Sequence, residues 1–334
     1  MTRVAFFSSK SYDKHSFNQK NSDDLFTFEF HKCQLTDESA RLASGCEVVC
    51  AFVNDDLSSS VLKQLAKNGT RLIALRCCGH DKVDLKAAHI YGMQVVHVPE
   101  YSPESVAEHA VGLMLTLNRK LHKAYMRTRE ADFSLEGLVG YNLHQKTAGI
   151  IGVGAIGLAV IRILTGFGMN VLCYDPYQDP AVHDLGAKYC SLEELLTHSD
   201  IISLHCPSTP NSFELLNQEA IELMKDGVML INTSRADLLE TSAIIKALKR
   251  GKIGGLGLDV YCHERANFFH DDNTSADDLF RQLSTSHNVI FTGHQAFLTT
   301  DALDSIATIT MQSLSDFFET GDSENQLIAH HKVK

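Results

Sequence analysis

One short run constrains this chain more than any other: Gly152-Val153-Gly154-Ala155-Ile156-Gly157, with Asp175 eighteen residues beyond the last glycine. The residues before it, Thr147 to Ile151, are apolar and strand-like. Leu158 to Phe167 after it is apolar at helical spacing, broken only by Arg162. Asn170 to Tyr174 then reads as a second strand that ends at Asp175. Strand, tight turn, helix, strand and acid, in that order, are the sequence form of a dinucleotide-binding βαβ unit. Gly152 permits the turn, Gly154 lets the backbone approach a pyrophosphate, and Gly157 lets helix and strand pack closely. The start of the helix offers unpaired N–H groups to phosphate. Asp175 can accept hydrogen bonds from a ribose diol, and its charge disfavours a 2′-phosphate. The run Pro176-Tyr177-Gln178-Asp179 holds no Arg or Lys, so NAD is expected rather than NADP.

At 334 residues the chain is long enough for two domains. With 44% hydrophobic and 21% charged residues it is ordinary for a globular protein. The formal net charge of -11, without a basic run, argues against nucleic acid or an anionic membrane as a partner. Val4-Ala5-Phe6-Phe7 is too short for a signal peptide, and the longest uncharged apolar stretch is too short to span a bilayer. The nine cysteines are odd in number and contain no Cys-x-x-Cys pair. They read as reduced packing thiols of a cytoplasmic protein, with a redox-sensitive Cys77-Cys78 left open. No metal is expected.

Strand-like and helix-like segments alternate from the start, which implies parallel sheets with helices on both faces. Val4–Ser8, Cys46–Phe52, Leu72–Arg76 and Gln94–Val98 read as strands, with helices at Leu57–Asn68 and Val83–Tyr91. After the stiff break Pro99-Glu100-Tyr101-Ser102-Pro103 comes one long helical segment, Glu104 to about Arg129, apolar at Val106, Ala110, Leu113 and Leu117. A second alternating series starts at Thr147, with six strand candidates: Ala148–Gly152, Val171–Tyr174, Ile201–His205, Val228–Asn232, Gly255–Leu258 and Val289–Phe291. A last helix, Asp301 to about Thr320, is too long for one more strand connection and is expected to return to the first series. The fold expected is therefore α/β with two doubly wound parallel-sheet domains. A Rossmann dinucleotide domain, 101–298, is inserted into a discontinuous flavodoxin-like substrate domain, 1–100 with 299–334, with the active site in the cleft between them.

Exchange of a hydride with a nicotinamide needs a proton donor or acceptor, a cation for an anionic substrate, and a group that tunes the acid. Three residues follow strand candidates. Arg235, in Asn232-Thr233-Ser234-Arg235, can grip a carboxylate with two parallel hydrogen bonds, or else cap the next helix. Glu264 follows Leu258-Asp259-Val260-Tyr261-Cys262-His263 and fits a solvated loop carboxylate equally well. His294, in Thr292-Gly293-His294-Gln295, is one of 17 histidines. A packing or surface imidazole is the ordinary reading.

Taken in order, Gly152-x-Gly-x-x-Gly157, His205-Cys206-Pro207, Asn232-Thr233-Ser234-Arg235, Gly257-Leu258-Asp259-Val260-Tyr261 and Gly293-His294-Gln295-Ala296 resemble the D-isomer-specific 2-hydroxyacid dehydrogenases over nearly the whole chain. Phe52-Val53-Asn54-Asp55-Asp56, Leu75-Arg76-Cys77-Cys78-Gly79, Asn118-Arg119-Lys120 and Phe133-Ser134-Leu135-Glu136-Gly137 are similar to the D-lactate dehydrogenase branch of that family, its bacterial fermentative type in particular. The resemblance implies that Arg235 binds the substrate carboxylate and polarises its carbonyl. It makes His294 the acid/base and Glu264 its hydrogen-bonded partner. Substrate contacts would come from Phe52, Tyr101, Phe297 and the backbone of Cys78 and Gly79. NAD contacts would come from the glycine turn with Ala155 and Ile156, and from Asp175, Cys206, Pro207, Thr233, Ser234 and Asp259. It further implies pyruvate and D-lactate as substrates, a homodimer or homotetramer, and a cytoplasmic enzyme. A dehydrogenase for hydroxypyruvate, glyoxylate or a branched 2-oxo acid is the alternative within the family, and an NAD-sensing corepressor-like binding protein the alternative outside catalysis. Two departures stand out. Ala236 and Asp237 follow Arg235 where the family has Gly at the first position, and Cys262-His263 precedes Glu264.

Overall fold

The computed structural model describes residues 1–21, 24–262, 264 and 277–328. The chain divides into two compact units, Met1–Ser102 with Leu298–Lys334, and Pro103–Phe297.

In the first unit five parallel strands, β1 (Thr2–Phe6), β2 (Phe26–Phe30), β3 (Val48–Ala51), β4 (Leu72–Leu75) and β5 (Gln94–Val96), pair in the order β2-β1-β3-β4-β5. That order is the flavodoxin-like one. β3 and β4 are buried along their whole length, which is why they read as continuous apolar runs. The chain returns for this unit: the helix Thr300–Thr320 packs on Ser11–Lys20 and β4. Beyond it Leu327 N–H donates to the Val95 carbonyl at 2.8 Å.

In the second unit seven parallel strands, β6 (Thr147–Ile151), β7 (Asn170–Tyr174), β8 (Lys188–Tyr189), β9 (Ile201–Leu204), β10 (Val228–Asn232), β11 (Ile253–Leu258) and β12 (Val289–Phe291), run in the order β12-β11-β10-β9-β6-β7-β8. This is the Rossmann order with one further edge strand, and β6 stands at the switch point. One core layer joins the helices Pro103–Arg119 and Ala155–Gly166 to the sheet through Met114, Leu117, Val160 and Ile150. The other packs Leu195, Ile244 and Leu248 against Ile202, Leu230 and Leu256.

The expected elements are present with shifted ends. Strands read as far as Ser8, Phe52, Arg76 and Val98 stop at Phe6, Ala51, Leu75 and Val96. Phe7 and Val98 are nonetheless fully buried, so the apolar run continues into loops that have left the sheet. The segment read as one helix to Arg129 is two, Pro103–Arg119 and Leu121–Arg129, because Lys120 takes the left-handed conformation at φ 55°. There Asn118 Nδ2 donates to the Tyr141 carbonyl at 2.7 Å, and the Tyr141 N–H donates back to Asn118 Oδ1 at 2.9 Å. These bonds tie the helix end to a returning loop. The sequence reading omits Ser11–Lys20, β2 and β8. The helix is too polar to show an apolar period, burying Phe17 beside Asp13 and Ser16; β2 is an edge strand that buries only Phe26; and β8 is two residues long.

Candidate active site

In a parallel sheet every strand's carboxyl end lies on one edge, and ligands of open α/β sheets bind there. The expected residues of the second unit fall on that edge. The glycine turn follows β6, Asp175 follows β7, Cys206 and Pro207 follow β9, and Thr233 to Arg235 follow β10. Asp259 and then Glu264 follow β11, and His294 follows β12.

The turn after β6 has the shape the glycines predict. Gly152 has φ 94°, and a Cβ there would stand 2.4 Å from the Cys206 backbone nitrogen. A Cβ on Gly157 would stand 2.2 Å from the Gly152 carbonyl oxygen, so helix and strand touch backbone to backbone. No atom lies within 4 Å of where Gly154 would carry a Cβ, which leaves the approach to the helix N-terminus open. Asp175 is anchored between the glycine turn and its own loop: Val153 N–H donates to Oδ2 and Tyr177 N–H to Oδ1, both at 2.8 Å. Each oxygen keeps a lone pair for a diol. Thr233 Oγ1 is buried without a hydrogen-bond partner. An open glycine turn, a fixed acid and an unsatisfied hydroxyl on one sheet edge fit a dinucleotide. Cys206 lies under this edge, its carbonyl accepting from Ser234 Oγ, and burial pushes its thiol up to about 11. Neighbouring His205 is half-buried, with Nε2 2.8 Å from Ser203 Oγ, and desolvation lowers it to about 4.

The structure brings Glu264 and His294 together. His294 Nδ1 stands 2.9 Å from Glu264 Oε2, and Tyr261 N–H donates to Glu264 Oε1 at 2.9 Å. The carboxylate is thus held from behind and presents one oxygen to the imidazole, which leaves Nε2 as the ring atom available for proton exchange. His294 has φ 51°, a left-handed conformation rare outside glycine. Asp259 holds it there. The Asp259 carbonyl accepts from His294 N–H at 2.8 Å. Its carboxylate accepts from Gln295 N–H and Ala296 N–H, both at 2.9 Å, and from the Thr292 hydroxyl. Burial works against this carboxylate, but hydrogen bonds from His109, Thr292, Gln295 and Ala296 hold it below the usual range. Expected as a cofactor contact, the Asp259 side chain is 1% exposed; it is spent on the His294 loop and has little surface to offer a ligand. His109 and Thr292 belong to this network but not to the expected site. His109 flanks the apolar face Val106-Ala110-Leu113 of its helix, a position that reads from sequence as packing.

Arg235 is half-buried at the end of β10, where its carbonyl accepts from Asn232 Nδ2 at 2.8 Å and its Nη1 donates to the Ser234 carbonyl at 3.0 Å. Ala236 opens a short 3-10 turn and is not among the positive-φ residues, so the loop does not need glycine there. The extra charge of Asp237 is turned to Ser208 Oγ, 2.6 Å away. Phe297 closes the second unit, buried. In the first unit, Phe52 and Arg76 stack, with the guanidinium 4.8 Å from the ring centroid. Cys78 is exposed, its thiol donating to the Pro99 carbonyl at 3.2 Å, while Gly79 and Tyr101 are half-buried. His263 lies outside the described residues.

Residues 111–296 match the family model for the D-isomer specific 2-hydroxyacid dehydrogenase, NAD binding domain. The chain is 53% identical to a D-lactate dehydrogenase of Escherichia coli, over 98% of this chain and 100% of that one. It is 54% identical to a 2-hydroxyacid dehydrogenase homolog of Haemophilus influenzae, over 93% and 95% of the two chains. Among solved structures, the apo D-lactate dehydrogenase of Escherichia coli aligns with TM-score 0.90 at 52% identity, covering 98% of this chain and 100% of that chain. The Aquifex aeolicus D-lactate dehydrogenase complexed with NAD and lactic acid aligns with TM-score 0.87 at 35% identity, over 98% and 100%. The chain belongs to the D-isomer specific 2-hydroxyacid dehydrogenase family.

Proposed function

We propose that this protein is an NAD-dependent D-lactate dehydrogenase, interconverting pyruvate and D-lactate. The observation that carries the reading is the Glu264–His294 pair at 2.9 Å on the same sheet edge as the open glycine turn. NAD, when bound, supplies the partner for hydride exchange. Gly152, Gly154, Ala155, Ile156 and Gly157 cradle its pyrophosphate, Asp175 takes its ribose, and Cys206, Pro207, Thr233 and Ser234 complete the contact. Arg235 pairs with the substrate carboxylate and draws electron density from the adjacent carbonyl, lowering the cost of charge on its oxygen. His294 gives a proton from Nε2 to that oxygen in reduction and takes it back from the hydroxyl in oxidation. Glu264 fixes the tautomer that puts Nε2 to this work. Phe52, Cys78, Gly79, Tyr101 and Phe297 are proposed as the substrate contacts, the aromatic rings favouring a small 2-oxo acid.

The protein is proposed to work in the cytoplasm as a homodimer or homotetramer. All nine cysteines are free thiols, and no helix among the described residues is long and apolar enough to cross a membrane. Leu121, Tyr125, Met126, Phe133, Leu135 and Val139 are exposed within one short stretch of the second unit, an apolar surface suited to a second copy. Turnover of a panel of 2-oxo acids with NADH tests the substrate. Pyruvate is expected to give the highest kcat/KM. A higher value for hydroxypyruvate, glyoxylate or a branched acid moves the assignment elsewhere in the family. Tight NADH binding with no turnover of any of them favours a corepressor-like sensor.

A further inference from the structure

His109 sits on the helix Pro103–Arg119, on the flank of its buried face, 21% exposed. Its Nε2 stands 3.0 Å from Thr292 Oγ1 and 3.5 Å from Asp259 Oδ1. The Thr292 hydroxyl has one proton and gives it to Asp259 Oδ1. Toward His109 it can therefore only accept, which makes Nε2–H the donor and fixes the imidazole tautomer. The chain of bonds runs onward without a gap. Asp259 takes the N–H groups of Gln295 and Ala296 on its carboxylate and that of His294 on its carbonyl. At the far end is the left-handed backbone of His294, a conformation that persists only when its surroundings over-determine it.

We infer that His109 is a positioning residue for His294, clamping the loop after β12 to the helix through Thr292 and Asp259. The inference rests on the proposed acid/base role of His294. The helix is the rigid body here. It packs against the helix Ala155–Gly166 and against β10 and β11, so His109 carries the position of the core to a loop that has left the sheet. Without the donor, the Thr292 hydroxyl can turn, Asp259 loses the group that orients it, and His294 is free to relax from φ 51°. Small displacements of a proton-transfer group are costly to rate while leaving cofactor contacts elsewhere on the edge intact.

Four variants of the full-length protein test this: His109→Phe, His109→Gln, Thr292→Val and His294→Ala. Each is assayed for kcat with pyruvate, NADH Kd by fluorescence, and the solvent deuterium isotope effect on kcat. His109→Phe and Thr292→Val are expected to lower kcat roughly ten- to a hundredfold, with NADH Kd within about twofold. The isotope effect should rise, because proton delivery becomes limiting. His109→Gln keeps an N–H donor and should recover most of kcat. Wild-type kcat in both His109→Phe and Thr292→Val, with His294→Ala impaired, overturns the positioning role alone. So does a loss of kcat with an unchanged isotope effect and no recovery by His109→Gln, the mark of a merely structural residue. Wild-type turnover in His294→Ala overturns the acid/base assignment beneath the inference.

Discussion

Both units place polar groups just beyond the carboxyl ends of parallel strands, but they treat them in opposite ways. In the first unit the groups are sealed. Arg76, after β4, is 2% exposed: its Nη2 donates to the Ser8 carbonyl at 2.9 Å and its Nε to Asp13 at 3.3 Å, and it lies over the Phe6 ring at 4.5 Å. Asp55, after β3, accepts from Ser8 Oγ at 2.7 Å, Leu35 N–H at 2.8 Å and Phe52 N–H at 2.7 Å. Burial raises its carboxyl, and Arg76 and these donors oppose the rise. In the second unit the corresponding edge stays accessible, with Gly154 facing open space and one imidazole nitrogen of His294 uncommitted to Glu264. The same topology thus yields a locked joint in one unit and a poised site in the other. Side chains decide which, since bulky rings cover the charges in the first unit and glycines keep the backbone bare in the second.

The largest effect that would break this contrast is in the sealed cluster. Arg76→Met strands Asp13 and Asp55 in the interior and should cost about 3–5 kcal/mol. Hydrogen exchange of the β3 and β4 amides reads it. Protection unchanged from wild type would mean that the charges are not an interdependent set. A pair of glycine variants sharpens the contrast next. Gly152 and Gly69 share positive φ, 94° and 98°, but a Cβ on Gly69 meets nothing within 4 Å. Gly69→Ala should cost only about 1 kcal/mol of strain. Gly152→Ala adds a backbone collision and should cost roughly 3 kcal/mol, with NADH binding weakened. Equal costs in a denaturant titration would remove crowding from the account of the turn.

A further effect is set by pH. His205 is held neutral down to about 4, against an ordinary value of 6.5. As pH falls through that window the unfolded chain takes up a proton that the folded one refuses. Stability should therefore fall between about pH 6.5 and 4, by up to the order of 3 kcal/mol. Asp259 and Asp200, both held below the ordinary carboxyl value, add a further loss only below about 3.8. His205→Gln should flatten the upper window and leave the lower one. An unchanged slope between pH 6.5 and 4 would assign the acid sensitivity to another group.

Much of the edge was legible in the sequence because its residues are tied to strand ends, and strand ends are marked by where apolar runs meet Gly, Asp, Ser and Pro. Gly152, Asp175, Arg235 and His294 stand out for that reason. What the sequence hid is tertiary. Asp259 gives no sign in Leu258-Asp259-Val260 that its carboxylate faces inward to the loop after β12. His109 looks like one polar residue on an amphipathic helix. The left-handed break at Lys120 depends on Asn118 meeting Tyr141 across a loop, which no local pattern records. The apolar runs reach past the strand ends because buried loops continue them, as at Phe7 and Val98, whose N–H groups still donate to the Cys50 and Cys77 carbonyls.

This edge is expected to carry out hydride and proton exchange on pyruvate with one stereochemical outcome. Incubating the purified protein with NADH and pyruvate, followed by chiral chromatography of the product, tests it most directly. Stoichiometric NADH consumption with D-lactate as the sole enantiomer is expected. L-lactate, a racemate, or no lactate at saturating NADH would contradict it.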